Sequence, residues 1–191
     1  MIGRAVGDVI DENHGERPLD IYSANKGAAE KYYRIYHRVH DLKTVMLRFA
    51  NLYGPYGKAH AEFGFINYFI GLAHNDQEIT VYGSGTQRRN VLHAEDAAEA
   101  MYMAAANPKL YGEAYFATHD EHVSVIDIAK QIVNVFGRGK LTHVEWPEER
   151  KRIEVDDQRI SSELFRGLSG WKPRYSFLEG LERTRAIMEQ K

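Results

Sequence analysis

No cysteine occurs among the 191 residues. Disulfides, thiolate metal sites and cysteine nucleophiles are thereby excluded, and the chain accords with a cytoplasmic setting. An excess of one charge is equally lacking: 25 Lys and Arg against 27 Asp and Glu leave a formal net charge of −2. With both signs interspersed, no field is available to hold nucleic acid or an anionic membrane surface, so any phosphate contact must come from local basic residues. No apolar run reaches the roughly 18 residues a membrane helix needs, and no charged-then-apolar leader opens the chain. Low-complexity tracts and internal repeats are also missing, and the length suits one ordinary domain.

What is present is an alternation of strand-like and helix-like segments, the pattern of helices packed on a largely parallel sheet. Tyr22 to His40 carries Ala24, Ala28, Ala29, Tyr32, Ile35, Tyr36 and Val39 near a 3.6-residue period and reads as a long helix. "KTVMLRFANLYGP" then reads as one strand ending in a turn at Gly54 and Pro55. "FGFINYFIGLAHN" predicts a buried helix, and "EITVYGSGTQRRNVLH" two short strands joined by a glycine-rich turn. Asp96 to Ala106 is rich in helix-favouring alanine and methionine. "EAYFAT" predicts another buried strand. Ser124 is placed to cap a helix that Gly137 closes, and Ser176 with Glu179 matches a capping box before the last helix.

The chemistry suggested by the sequence begins at Tyr22 and Lys26. On a helix, residues four apart share a face, so the phenol and the ammonium can reach one ligand. A free tyrosine titrates near ~10 and is a poor base at neutral pH, but a nearby cation favours the phenolate. The pair is thus a credible acid/base unit, although two amphipathic side chains on a helix surface would give the same spacing. Asp96, at a helix start, reads first as a carboxylate favoured by the helix dipole. His37 and His40 form a His-x-x-His spacing with no third ligand in reach, so no metal site is assigned.

Downstream residues add to the pair. "YSANKGAAEKYYRIYHRVHDLKTVMLRFANLYGPYG" resembles the core of the extended short-chain dehydrogenase/reductases, in particular their nucleotide-sugar epimerases and dehydratases. That family places a Tyr-x-x-x-Lys helix before a strand ending Arg-x-x-Asn-x-Tyr-Gly-Pro, here Arg48, Asn51, Tyr53, Gly54 and Pro55. "VYGSGTQRRNVLHAEDAAEA", "WPEERKRIE" and "GWKPRYSFLEGLERT" are similar to its later segments. The resemblance implies an α/β fold: the C-terminal part of a Rossmann-like parallel sheet over 1–58, and a small α/β substrate domain over 59–191 with some segments returning to the sheet.

By the same resemblance, Tyr22 transfers the proton and Lys26 holds the nicotinamide ribose of NAD, while the sugar passes through a transient keto form. Asn51 and Arg89 are expected at the diphosphate of a nucleotide sugar, and Tyr82 against its base. Lys151 is expected at the second phosphate contact, with Arg150 and Arg152 as competitors. The Tyr-Lys helix is expected to form a dimer, with Tyr32, Ile35, Tyr36 and Val39 as the face. Two departures qualify this. The glycine-rich turn that holds the NAD pyrophosphate in the family is not found, which implies weak NAD binding by this chain alone and a chain that is a fragment, oligomerises or exchanges elements. The family's upstream Ser or Thr falls on Gly3 of "GRAVGD", and Arg4 and Ala5 stand where dehydratases carry an acidic pair, which leans toward an epimerase. A catalytically silent nucleotide-sugar module, or a structural remnant that dimerises, is the alternative.

Overall fold

The computed structural model describes residues 3, 7–148, 157 and 159–190. The first long element is helix α1, Ile21–His40. Asp20 caps it, its Oδ1 accepting from the Ser23 amide at 2.6 Å, and hydrogen bonds from the Ser23 amide and hydroxyl hold the carboxyl below the usual range. At the other end His37, Arg38 and His40 meet the negative pole of the helix before Asp41 turns left-handed.

The segment expected as one strand divides at Ala50. Its first half, β1 (Met46–Phe49), runs parallel to β5 (Ala114–Ala117). Its second, β2 (Asn51–Tyr53), runs parallel to β4 (Arg88–His93), which in turn pairs antiparallel with β6 (His122–Ser124). The chain thus passes from one sheet to another within eight residues, Met46 to Tyr53, and it does so beside Asn51.

The glycine-rich turn is also present, with Gly83 and Gly85 both at positive φ, but the strands it joins do not pair with each other. β3 (Glu78–Tyr82) instead lies parallel to β7 (Lys140–Val144). Among the described residues the result is three small sheets.

Helices α2 (Phe65–His74), α3 (Ala94–Ala106), α4 (Val125–Phe136), α5 (Glu163–Ser169) and α6 (Phe177–Met188) cover these sheets. In α4 the buried set Ile128, Ala129, Ile132, Val135 and Phe136 follows the helical period, and it packs with Phe69, Ile79 and Val81 in one core. Ala97, Ala100 and Ala104 of α3 form a second core with Tyr115, Phe165 and Trp171. Strand β4 divides the two: Val91 belongs to the first and Leu92 to the second, as the alternation of a strand requires. Ser124 and Gly137 bound α4, and the Ser176–Glu179 capping box opens α6, all as expected.

Asp96 stands in the first turn of α3, as expected of a carboxylate there, but it is not the cap. The cap of α3 is His93, whose Nδ1 accepts from the Glu95 amide, and helix α3 begins two residues before Asp96. Fully buried, the Asp96 carboxylate accepts from the amides of Arg174 (3.0 Å) and Tyr175 (3.2 Å), while its carbonyl accepts from Trp171 Nε1 at 3.1 Å. The residue therefore fastens the C-terminal segment to α3.

Candidate active site

Between α1 and the open side of β1 lies a cavity of about 1750 Å³. Tyr22, Lys26, Asn51 and Arg89 all line it, so four of the expected site residues, drawn from α1, β2 and β4, meet on one wall system. The spacing of the first two is what the helix dictates: the Lys26 ammonium lies 5.5 Å from the centre of the Tyr22 ring. Tyr22 is 71% exposed, so its hydroxyl is free to meet a ligand from the cavity.

Asn51 is already engaged, its Nδ2 donating to the Asn90 carbonyl at 2.9 Å. That bond pins β2 to β4 at the strand switch and leaves the side-chain oxygen as the acceptor for anything bound. Arg89 donates to the Arg88 carbonyl at 2.8 Å. Asn90 stiffens the same strand: its Nδ2 donates to the His119 carbonyl at 2.9 Å and its Oδ1 accepts from the Ile160 amide at 2.8 Å.

Helix α2 opens onto the same cavity at Gly64 without a side-chain cap. The start of α2, with the positive end of its dipole, and Arg89 therefore both belong to the cavity lining, an arrangement that suits an anion.

The remaining expected residues stand elsewhere. Tyr82 is not on the cavity wall; its ring packs against Trp146 with centroids 5.3 Å apart and planes tilted by 32°. Lys151, with Arg150 and Arg152, lies outside the described residues, as do Arg4 and Ala5. Gly3 does line the cavity, at φ 73°, where a Cβ would meet the Arg17 carbonyl oxygen at 1.9 Å. No serine fits that backbone. His37 uses its Nδ1 on the Leu42 carbonyl at 2.9 Å and His40 packs on Tyr36, so the two do not face a common ion. Among the described residues no cluster of His, Asp and Glu is arranged to hold a metal.

Residues that the sequence reading passed over support this wall. Glu30, 6% exposed, receives Arg48 in a two-pronged bond, Nε to Oε2 at 2.9 Å and Nη2 to Oε1 at 2.6 Å. Glu12 and Ser162 accept from the Phe116 and Thr118 amides at 2.8 Å each, quieting the outer edge of β5. A carboxylate one turn beyond Lys26 was the available signal for Glu30; nothing local marks Glu12 or Ser162.

The model of the NAD dependent epimerase/dehydratase family matches residues 3–116, more than half of the chain. The chain belongs to this family. Among curated members, it is 29% identical to human dTDP-D-glucose 4,6-dehydratase, over 96% of this chain and 52% of that protein. It is 30% identical to a putative UDP-glucose 4-epimerase of Methanocaldococcus jannaschii, over 91% of this chain and 55% of that one. The chain spans about half the length of these curated relatives. Among solved structures, the Thermus thermophilus UDP-glucose 4-epimerase complex with NAD superposes with a TM-score of 0.85 at 24% identity, over 98% of this chain and 60% of that one. The Thermotoga maritima UDP-glucose 4-epimerase with UDP-glucose gives 0.86 at 22%, over 99% and 60%. At those identities the likeness establishes the α/β fold with parallel sheets and goes no further. No helix of the described residues is long and apolar enough to cross a membrane.

Proposed function

We propose that the cavity is the nucleotide-sugar site of an NAD-dependent epimerase/dehydratase, of the UDP-glucose 4-epimerase kind. The observation that carries this reading is the convergence of Tyr22, Lys26, Asn51 and Arg89 on one cavity. Arg89 and the uncapped start of α2 suit the diphosphate, the guanidinium by its planar donor set and the helix by its amides. Asn51 offers its oxygen to a sugar hydroxyl. Tyr22 takes a proton from a sugar hydroxyl and returns it, with the Lys26 ammonium beside its ring.

The wall fits one part of NAD: Tyr22 and Lys26 present a hydroxyl and an ammonium suited to ribose and amide oxygens. Among the described residues no glycine-rich strand-to-helix turn is available for the pyrophosphate. When bound, NAD supplies the hydride acceptor and donor. The proposal therefore includes weak NAD binding by this chain alone. Gly3 in place of a hydroxyl removes one partner of the sugar and is also the feature that favours the second reading, a catalytically silent module that keeps the nucleotide-sugar pocket. Tyr82, which stands with Trp146 off the cavity wall, is the proposed contact for a base that extends beyond the cavity, Lys151 the second phosphate contact, 1–58 the sheet part and 59–191 the substrate part. A cytoplasmic setting accords with the missing cysteines, and a dimer through α1 accords with the exposure of Tyr32, Ile35, Tyr36 and Val39.

Melting temperature tests this, since a ligand that binds only the folded chain must raise it. A panel of nucleotide sugars and NAD is titrated singly and together. A rise with a nucleotide sugar, larger when NAD is also present, supports the enzyme reading. A rise with sugar that NAD leaves untouched favours the silent module, and a rise with NAD alone contradicts the account of the cofactor half.

A further inference from the structure

We infer that Glu30 and Arg48 are positioning residues that set the rotation of α1 about its axis and so aim Tyr22 and Lys26 into the cavity. The inference rests on the reading of that pair as the reacting wall.

Helix α1 has little apolar hold on the rest of the protein. Of its 20 residues only Gly27 and Glu30 are buried, while Tyr22, Tyr32, Ile35, Tyr36 and Val39 are all exposed. Apolar packing therefore does little to fix this helix on the body of the protein. Polar contacts remain, and the most buried of them falls on the ridge of the reacting pair: Tyr22, Lys26 and Glu30 follow one another at intervals of four residues. Whatever holds Glu30 in angle holds the other two.

The hold is specific in geometry. Arg48 stands on β1 and gives both prongs of its guanidinium to the Glu30 carboxylate, at 2.9 and 2.6 Å. Its side chain is 10% exposed and lies over the Phe116 ring of β5, centroid distance 5.3 Å. Two parallel bonds between planar groups fix direction as well as distance, which a single contact cannot do. Further pairs extend the lock on both sides. Glu16 lies 3.7 Å from Arg48 and pairs with Lys31, and Arg34 reaches Glu30 at 3.5 Å and Glu113 at 3.4 Å. Charges of alternating sign thus run from the segment before α1, through β1, to the start of β5. A buried ion pair adds little net stability against a hydrophobic replacement, so its value here lies in orientation. Phe116 and Glu113 carry that orientation into the sheet that floors the cavity.

The missing cysteines make the test direct, since spin labels can be placed without removing native thiols. Ala28→Cys on α1 and Lys130→Cys on α4 report the distance from helix to body; Lys109→Cys with Lys130→Cys reports the body alone. All three positions are exposed. With Glu30→Gln, the helix-to-body distance distribution shifts and broadens while the body distribution stays as in the unsubstituted chain. The exchange Glu30→Arg with Arg48→Glu restores the narrow distribution. Unchanged helix-to-body distances in Glu30→Gln overturn the inference, as does broadening of both distributions, which would mark the pair as general scaffolding. No NAD or sugar enters the measurement, so its outcome is separate from that of the ligand titrations.

Discussion

His93 illustrates how one side chain can serve two elements. Its Nδ1 caps α3 at the Glu95 amide and its Nε2 meets the Thr184 hydroxyl of α6 at 3.4 Å, with the Tyr53 and Tyr175 rings on either side. The cap needs a lone pair on Nδ1, so the neutral ring is the one that fits. Burial pushes the His93 pKa down; Glu95 and Asp96 work against this, and Arg183 and Arg174 with it. The unfolded chain therefore binds a proton more readily than the folded one. Stability contributed by the neutral ring is full above the ordinary histidine value of about 6.5 and is lost as pH falls below it. Urea unfolding from pH 7.5 to 5 should show a smaller loss on acidification for His93→Gln than for the parent chain. Equal losses would remove His93 from the account. Its neighbour Asp96 was legible as an acidic residue at a helix start, but its real partners lie 78 and 79 residues further on, a pairing no local pattern contains.

Elements were legible where one physical signal dominated. The period of α1 and α4 and the Ser124 and Ser176 caps depend on neighbours a few residues away, and they stand where the sequence places them. The division of the β1–β2 segment at Ala50 was not legible, because a strand's composition reports burial and not which strand lies beside it. Strands β6 and β7 and helix α5 were missed for a related reason: each is short, and packing from other elements holds it. Trp171 is the plainest case. It is 1% exposed, packs on Phe165 with ring centres 5.5 Å apart, and bonds the Asp96 carbonyl, so it joins the end of α5 to α3. Trp171→Ala should cost about 3–5 kcal/mol in denaturant unfolding, the range for emptying a large aromatic from a core. A loss under about 1 kcal/mol would mean that the second core does not depend on it.

At the scale of the molecule, the two cores and three sheets of the described residues leave one side of β1 and one side of α1 facing a large cavity. The proposed site residues gather there from places far apart in sequence: Tyr22 and Lys26 on α1, Asn51 at the strand switch, Arg89 on β4. The sequence marked these residues as candidates, through the resemblance of ordered motifs. It did not reveal that Asn51 spends its amide on β4, that Tyr82 turns to Trp146 instead of the cavity, or that a backbone carbonyl closes the space beside Gly3. Each of those depends on a contact across the fold. The central claim is that this cavity receives the diphosphate of a nucleotide sugar on Arg89. Titration calorimetry of UDP-glucose into the chain and into Arg89→Ala tests it most directly. The account predicts saturable binding that weakens by about tenfold to a hundredfold in the variant, as loss of a charge-assisted phosphate contact implies. Equal affinity in both chains, or no binding to either, would contradict it.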